Sequence, residues 1–383
     1  MRNPGYKVCI ASIAPFIGGA EVAAERLALG LVAEGHEVVL VLGTRGAALE
    51  RMERSGLRCL HAPMPFTDKW HWWKYIGARN ALRRLLRRER PDVLHSNDLP
   101  THQIVSDAAR GLGVPRICHH RFSYGRAAID WFYKFGSEFN IYISNYIMND
   151  LCGLSPRLAA GRRSVVHDGL PLPARPTAEG RLRARRALGL PPEKVVVTFA
   201  GQIIECKGVA DLIRAWSLLA PGQTDEAELV IIGEDLQAAG RYRAEMQRLA
   251  GHLRCPARFV GFRQDVGEWL LASDVAVVPS HVEPLSLATM EAMSHALPVI
   301  GSAVGGIPEL IVPEETGLLV PPQAPDRLAA AIARMISGPD LRLRLGMRGR
   351  ERCEERFGLK EHVRGILRVY RQVSPFAGPV LAS

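Results

Sequence analysis

Short runs of apolar, often β-branched residues recur along the chain, with longer amphipathic segments between them. In the first half they lie at 7–11, 36–42, 92–95, 115–119 and 140–143, and the pattern resumes at 195–200 and again at 275–280. Continuous apolar runs suit strands covered on both faces, and helix-length segments supply the crossovers that parallel strands require. The alternation therefore predicts an α/β protein built on doubly wound parallel sheets, with ligands at the carboxyl ends of the strands. Asp168-Gly-Leu-Pro-Leu-Pro-Ala-Arg-Pro176 interrupts the pattern and reads as a connection. The expected boundary lies near residue 175 and divides 1–175 from 176–383. Two arginine-rich amphipathic helices are expected at the end, over 339–355 and 360–372.

A length of 383 residues, 47% hydrophobic and 23% charged, fits two separate cores in an ordinary globular chain. No apolar run reaches the roughly 18 residues of a membrane span, and the first residues lead straight into a strand, so neither a transmembrane helix nor a signal peptide is expected. The seven cysteines, at 9, 59, 118, 152, 206, 255 and 353, are scattered and include no Cys-x-x-Cys pair. That argues against a disulfide framework or a zinc cluster and for a reduced, cytoplasmic chain.

Charge changes the picture, because it is unevenly divided. Residues 1–175 hold 24 Lys and Arg against 15 Asp and Glu, a net of +9, and the remainder is nearly balanced at +1. The excess includes Arg83-Arg84-Leu-Leu-Arg87-Arg88-Glu-Arg90, preceded by the aromatic segment Trp70-His-Trp72-Trp73-Lys-Tyr75. Tryptophans beside cationic side chains suit an anionic membrane surface, at the inner face of a plasma membrane. The competing reading puts Leu82, Leu85 and Leu86 in the core and leaves the arginines as a solvated face. Nucleic acid is disfavoured as a partner, since no nucleic-acid motif accompanies the charge.

The candidate chemistry lies mainly in the second half. Glu283-Pro-Leu-Ser-Leu-Ala-Thr-Met-Glu291 follows the strand expected at 275–280 and sets two carboxylates eight residues apart where strand meets helix. Pro284 and Ser286 suit the first turn of a helix over about 287–295, where the amides near Ser286 and Leu287 and the helix dipole favour an anion. A carboxylate accepts two hydroxyl hydrogen bonds, the arrangement that grips a sugar diol. Upstream, Gly201-Gln202-Ile-Ile-Glu205-Cys-Lys207-Gly208 leaves the strand at 195–200. There Gly201 permits close backbone approach and Lys207 supplies a point charge for phosphate.

In these segments the chain resembles the retaining glycosyltransferases of family four. The resemblance rests on Gly201, Lys207 and Gly208, on Glu283, Pro284, Glu291 and Ala292, and on Gly305-Gly-Ile-Pro-Glu309. Gly18-Gly19-Ala20-Glu21 and Val165-Val-His-Asp-Gly169 also match, so nearly the whole length is covered. One departure is Gln202, where the family usually has an arginine that helps the lysine hold a diphosphate. The resemblance implies the GT-B architecture, two Rossmann-like domains facing across a cleft, with acceptor bound by the first, nucleotide sugar by the second and the final helix returning to the first.

Further site residues follow from that resemblance. Gly18 and Gly19 would face the cleft, with Glu21 capping the helix or touching acceptor; His95 and Asp98 would bind acceptor or finish a turn. His119 and Arg121 would be aimed at the donor sugar, and strand alternation puts them on one face with His120 on the other. A metal at Cys118, His119 and His120 is disfavoured for the same reason. Glu291 would bind ribose and Glu283 the donor sugar, while Phe262 and Arg263 of Val260-Gly-Phe-Arg263 would meet the nucleobase.

The sequence holds no Asp-x-Asp. Lys207, the helix amides and Gln202 are expected to hold the leaving diphosphate without a metal or other cofactor. The implied activity is retaining transfer of a hexosyl group from a nucleoside diphosphate sugar to a glycan or lipid-linked acceptor, in cell-surface polysaccharide or lipopolysaccharide synthesis. A GT-B-like epimerase or hydrolase would need added acid–base groups, and the Gly-Gly-Ile-Pro-Glu segment argues against it. A non-catalytic nucleotide-sugar-binding partner of another transferase is suggested only by Gln202.

Overall fold

Two parallel sheets organise the chain in the computed structural model, which describes residues 5–13, 16–65, 72–235 and 240–374. The first contains β1 (Lys7–Ser12), β2 (Glu37–Leu42), β3 (Arg58–His61), β4 (Val93–Ser96), β5 (Arg116–His120), β6 (Phe139–Tyr142) and β7 (Arg163–Val165). The second contains β8 (Val195–Ala200), β9 (Ala227–Ile232), β10 (Ala257–Gly261), β11 (Val275–Val278), β12 (Val299–Ser302) and β13 (Gly317–Val320). Strand orders are β3-β2-β1-β4-β5-β6-β7 and β10-β9-β8-β11-β12-β13. Each sheet starts in its middle, grows to one side, then returns to grow to the other. The reversals fall between β1 and β4 and between β8 and β11, the positions where open α/β sheets open a crevice at their carboxyl edge.

Two compact units follow the sheets. One gathers the residues up to Pro171 and from Gly358 onward, and the other runs from Leu172 to Phe357. The chain thus leaves the first unit four residues ahead of the expected boundary near 175.

In the first unit, the helix Gly19–Ala33 turns Leu27 and Leu31 into the core but leaves Leu29 exposed at 37%. The apolar positions Val22, Leu27, Leu29 and Leu31 of the sequence predict an inward face, from which Leu29 departs; Ala23, Ala24 and Ala28 are buried instead. At Gly30 the packing is close, because a Cβ there would lie 2.5 Å from Val363 of the helix Leu359–Val373. That last helix buries His362, Val363, Ile366, Leu367, Val369 and Tyr370 in the first unit's core. Its start is pinned by a parallel bridge between Leu170 and Gly358 and by Leu359 N–H donating to Leu170 O at 2.9 Å.

The helix Trp72–Glu89 buries Leu82 and Leu86 and half-buries Leu85, while Arg84, Arg87 and Arg88 stay exposed. Arg83 is tied down, donating to Ala108 O and Arg110 O. The solvated-face reading holds for this end of the helix, but Trp72 and Trp73 are exposed at 59% and 54% and are not core residues. Trp70 and His71 lie outside the described residues. Among the described residues no helix is long and apolar enough to cross a membrane.

The last helix covers a buried polar cluster. His95 Nδ1 meets Tyr370 Oη at 2.7 Å, and its Nε2 meets His119 Nδ1 at 3.1 Å. His362 Nδ1 donates to His167 O at 2.7 Å, which assigns its proton. Burial holds all three imidazoles below the ordinary histidine range, and the Arg121 guanidinium lowers them further. His95 is pushed down to about 3.

These shifts carry a definite pH dependence. An imidazole whose pKa is depressed by folding is neutral in the native state, whereas the unfolded chain binds its proton near pH 6.5. The stability linked to the cluster is therefore complete above about pH 6.5 and is lost progressively as pH falls towards the folded pKa. Melting temperature, followed by circular dichroism, should drop between about pH 7 and pH 5. A flat profile across that window would contradict the neutral assignment.

Candidate functional site

The second unit's switch point is closed by glycines. After β8 the chain passes Gly201 and Gln202 to a short 3-10 turn, Glu205–Lys207, and reaches Gly208 at φ 70°. A side chain at Gly208 is excluded on two counts, since the backbone is left-handed and a Cβ would lie 2.0 Å from Pro279 O. The lysine turn therefore lies directly against the segment leaving β11. Two more glycines clamp that segment from the β12 side. Gly305, at φ 57°, would put a Cβ 1.8 Å from Glu283 O, and Gly306 N–H donates to the same oxygen at 2.9 Å. Glu283 is held by its own backbone.

This arrangement brings the two principal candidates together. Lys207 Nζ lies 2.6 Å from Glu283 Oε2, which also accepts from Ser280 Oγ at 3.2 Å. The lysine was expected to stand free as a phosphate-binding charge; in the structure it is engaged with the carboxylate. The helix following Glu283 begins at Leu287, where it was expected, but Pro284 and Ser286 stand ahead of it rather than in its first turn, with Ser286 as the N-cap. Ser286 sits at φ 89° and ψ 87°, an unfavourable conformation for a residue with a Cβ, and its Oγ accepts from Thr289 N–H at 3.2 Å. The first N–H groups of such a helix lack intrahelical acceptors and suit an anion. Glu291 is half-buried on the helix Leu287–Ser294. Gln202 is half-buried too, and its side chain has no hydrogen-bond partner among the described residues.

Phe262 and Arg263 follow β10, two strands from β8, about 10 Å along the same edge. Phe262 is exposed at 64%, while Arg263 pairs with Asp265 at 3.1 Å and lies over the Trp269 ring. Beside them Arg243 Nη1 pairs with Glu234 Oε2 at 2.5 Å. Sequence reasoning overlooked Glu234, Arg243, Ser280 and the pair Asp211 and His281. A polar residue two positions past the end of a buried strand was the available signal for Glu234 and Ser280.

The first unit collects its own group at the carboxyl edge of β1, β4 and β5. Gly18 N–H donates to Glu21 Oε2 at 3.0 Å, so Glu21 serves as a cap, and burial raises its pKa. Asp98 caps the next helix through Thr101 N–H at 2.7 Å; burial raises it as well. Gly19 begins the helix that Glu21 caps, and Ala20 O accepts from Asn97 Nδ2 at 3.1 Å. Arg121 donates to Asn97 Oδ1 and, through one nitrogen, to both Asp168 oxygens, each at 2.8 Å. Arg121 and Asp168 are nearly inaccessible, and His95 and His119 fully so.

His119 and Arg121, the groups expected to be aimed at a donor, are both buried in the first unit. Arg121 braces Asn97, whose amide reaches Ala20 O behind the glycine loop, while His119 Nε2 has no hydrogen-bond partner among the described residues. Their alternation is as expected: Arg121 Nη2 lies 3.5 Å from His119 Nδ1, while His120 turns to Asn140 Oδ1 at 2.9 Å. Cys118 Sγ meets His120 Nδ1 at 4.0 Å on that other side.

Two family matches divide the chain in the same way as the sheets. Residues 181–352 match the family Glycosyl transferases group 1, and residues 18–146 match the Glycosyl transferase 4-like domain. Alpha-maltose-1-phosphate synthase of Mycolicibacterium smegmatis is 34% identical over 250 residues, which span 61% of this chain and 63% of that protein. An uncharacterized glycosyltransferase of Methanocaldococcus jannaschii, MJ1607, is 26% identical over 84% of this chain and 86% of its own. Among solved structures, Anabaena HepE in complex with UDP and glucose superposes with a TM-score of 0.84 at 18% identity, covering 96% of this chain and 100% of that one. This last likeness concerns the fold. With two Rossmann-like units and both family matches in place, the chain belongs to the group 1 glycosyltransferases and has the GT-B fold.

Proposed function

We propose that the protein transfers a sugar from a nucleoside diphosphate sugar to a glycan or lipid-linked acceptor, with retention at the anomeric carbon and without a metal ion. The observation that carries this reading is the Lys207–Glu283 pair, set beside the start of the helix Leu287–Ser294. Breaking the anomeric bond develops negative charge on the diphosphate, and a cation with unpartnered helix amides is suited to receive it. As the diphosphate arrives, Lys207 exchanges Glu283 for phosphate oxygens, and the released carboxylate turns to the sugar hydroxyls. Gln202 adds a neutral donor, Glu291 grips the ribose, and Phe262 and Arg263 meet the base. The departing diphosphate takes the acceptor proton, so no protein base is required. UDP and glucose in the Anabaena protein of like fold make UDP-glucose the first donor to try.

The acceptor side is proposed from charge. A first half with net charge +9 and an exposed Trp72–Trp73 pair, their rings edge to face at 6.2 Å, fits an anionic membrane surface. Synthesis of cell-surface polysaccharide or lipopolysaccharide at the inner face of the membrane would use that contact.

Lys207→Ala should lower transfer at least about 100-fold, as loss of one transition-state donor does, with little change in melting temperature. Wild-type turnover in the folded variant would reject the assignment. Glu291→Ala should weaken nucleotide binding about tenfold by calorimetry, the scale of one charged hydrogen bond. Chelator should leave the rate intact and the product should keep the donor's anomeric configuration by NMR; dependence on manganese, or inversion, would refute those parts. Separately, replacing Trp72 and Trp73 with serine should reduce sedimentation with anionic vesicles at low salt. Equal sedimentation of the two proteins would remove the membrane proposal.

A further inference from the structure

Beside the Lys207–Glu283 pair lies a second side-chain bond between the same two segments. His281 Nε2 meets Asp211 Oδ2 at 2.6 Å, and Arg214 Nη1 pairs with Asp211 Oδ1 at 3.1 Å. A carboxylate only accepts, so the histidine proton sits on Nε2. Asp211 belongs to the helix Val209–Ser217 that continues from the lysine turn, and His281 belongs to the segment that carries Glu283. The backbones are joined at the same place, because His281 N–H donates to Cys206 O at 2.8 Å. The carbonyl of Pro279 then rests on Gly208, whose Cβ, if present, would be 3.4 Å from His281 Nε2.

We propose that His281 is a positioning residue for the reaction: through Asp211 it holds the lysine turn in register with Glu283, so that Lys207 meets the donor diphosphate in the productive place. The argument is geometric. Lys207 is the last residue of a three-residue turn and precedes a left-handed glycine, so the local backbone alone does not fix it rigidly. Besides the ion pair, the turn is tied to the segment leaving β11 by the bond from His281 N–H to Cys206 O, the glycine contact and the His281–Asp211 bond. The last of these depends on a side chain that is itself distinct from the ion pair. Removing it leaves Lys207 its charge and Glu283 its carboxylate but frees their separation. Misplacement of about 1 Å is enough to lower a rate by about 100-fold.

This inference rests on the reading of Lys207 as the phosphate-binding group, and the experiment separates the two. His281→Ala, His281→Gln and Lys207→Ala are compared with UDP-glucose as donor, or with whichever nucleoside diphosphate sugar supports turnover of the wild type. For each, kcat, KM for the donor and melting temperature are measured. His281→Ala should lower kcat about ten- to 100-fold with a smaller change in KM, and His281→Gln, which keeps a donor for Asp211, should recover most of the loss. Similar melting temperatures for the two His281 variants tie the difference to placement. Equal kcat in Ala and Gln variants, or wild-type kcat in the Ala variant, overturns the positioning role. Should His281→Ala not fold, His281→Phe takes its place, and kcat equal to that of the Gln variant is again fatal. If Lys207→Ala turns over normally, the phosphate reading itself fails, whatever the histidine variants do.

Discussion

Close backbone approach at the β8–β11 switch point is the constraint on which the second unit's arrangement depends. Gly208 against Pro279, Gly305 against Glu283 and Gly306 against Pro284 leave no room for a Cβ, and together they draw three loops onto one carboxyl edge. The Lys207–Glu283 pair is a consequence of that approach rather than its cause. With side chains 25% and 10% exposed, the pair is only partly screened, and its net contribution to stability is the difference between its attraction and the cost of desolvating both charges. Its importance is electrostatic balance. A lysine beside the positive end of a helix is unfavourable unless an anion accompanies it, and Glu283 supplies that anion when no phosphate is bound. In the proposed reaction the carboxylate keeps the place that a diphosphate later takes.

The first unit uses polar groups differently. Asp168, Arg121 and Asn97 form a buried chain from the segment before Leu170 that reaches half-buried Ala20 at the start of the helix behind the glycine loop. A buried charge pair of this kind is costly to break, because either partner left alone is an unsolvated charge. The group is therefore suited to holding a loop still. The histidines beneath it are neutral, packed under the last helix, and act in the same structural sense.

Legibility from sequence followed the range of the interactions involved. β8 coincides with its expected span because the run from Val195 to Ala200 is continuous and ends at a glycine. β11 stops at Val278, two residues short of the expected end, since Pro279 turns its carbonyl towards Gly208 instead of continuing the ladder. Leu29 was misjudged because small alanines, not the larger side chain, meet the neighbouring elements. Candidate residues such as Lys207, Glu283 and Glu291 could be named from local patterns and family resemblance. Their partners could not: Lys207 and Glu283 are 76 residues apart, and His281 and Asp211 are 70 apart. Both pairs exist because β8 and β11 are neighbours in the sheet without being neighbours in the chain. Burial was hidden for the same reason: nothing local to His119 and Arg121 announces that His362 of the last helix and Asp168 pack against them.

The two glutamates of the second unit illustrate why their spacing matters to the chemistry proposed. Glu283 precedes the helix, and its carbonyl is gripped by Gly306 N–H, so its side chain starts from a fixed backbone at the strand end. Glu291 lies on the helix itself, and its backbone is set by the helix axis. Between them Ser286 takes up a left-handed conformation that ends the strand's exit and opens the helix abruptly. A glycine there would reach the same φ more easily, but it would lack the Oγ that accepts Thr289 N–H. The serine therefore combines a strained backbone with a cap, and the strain is maintained by the glycine clamp on one side and the helix on the other. That combination starts the helix four residues after Glu283, the partner of Lys207, and so keeps its first amides close in the chain to the ion pair on which the proposed reaction rests.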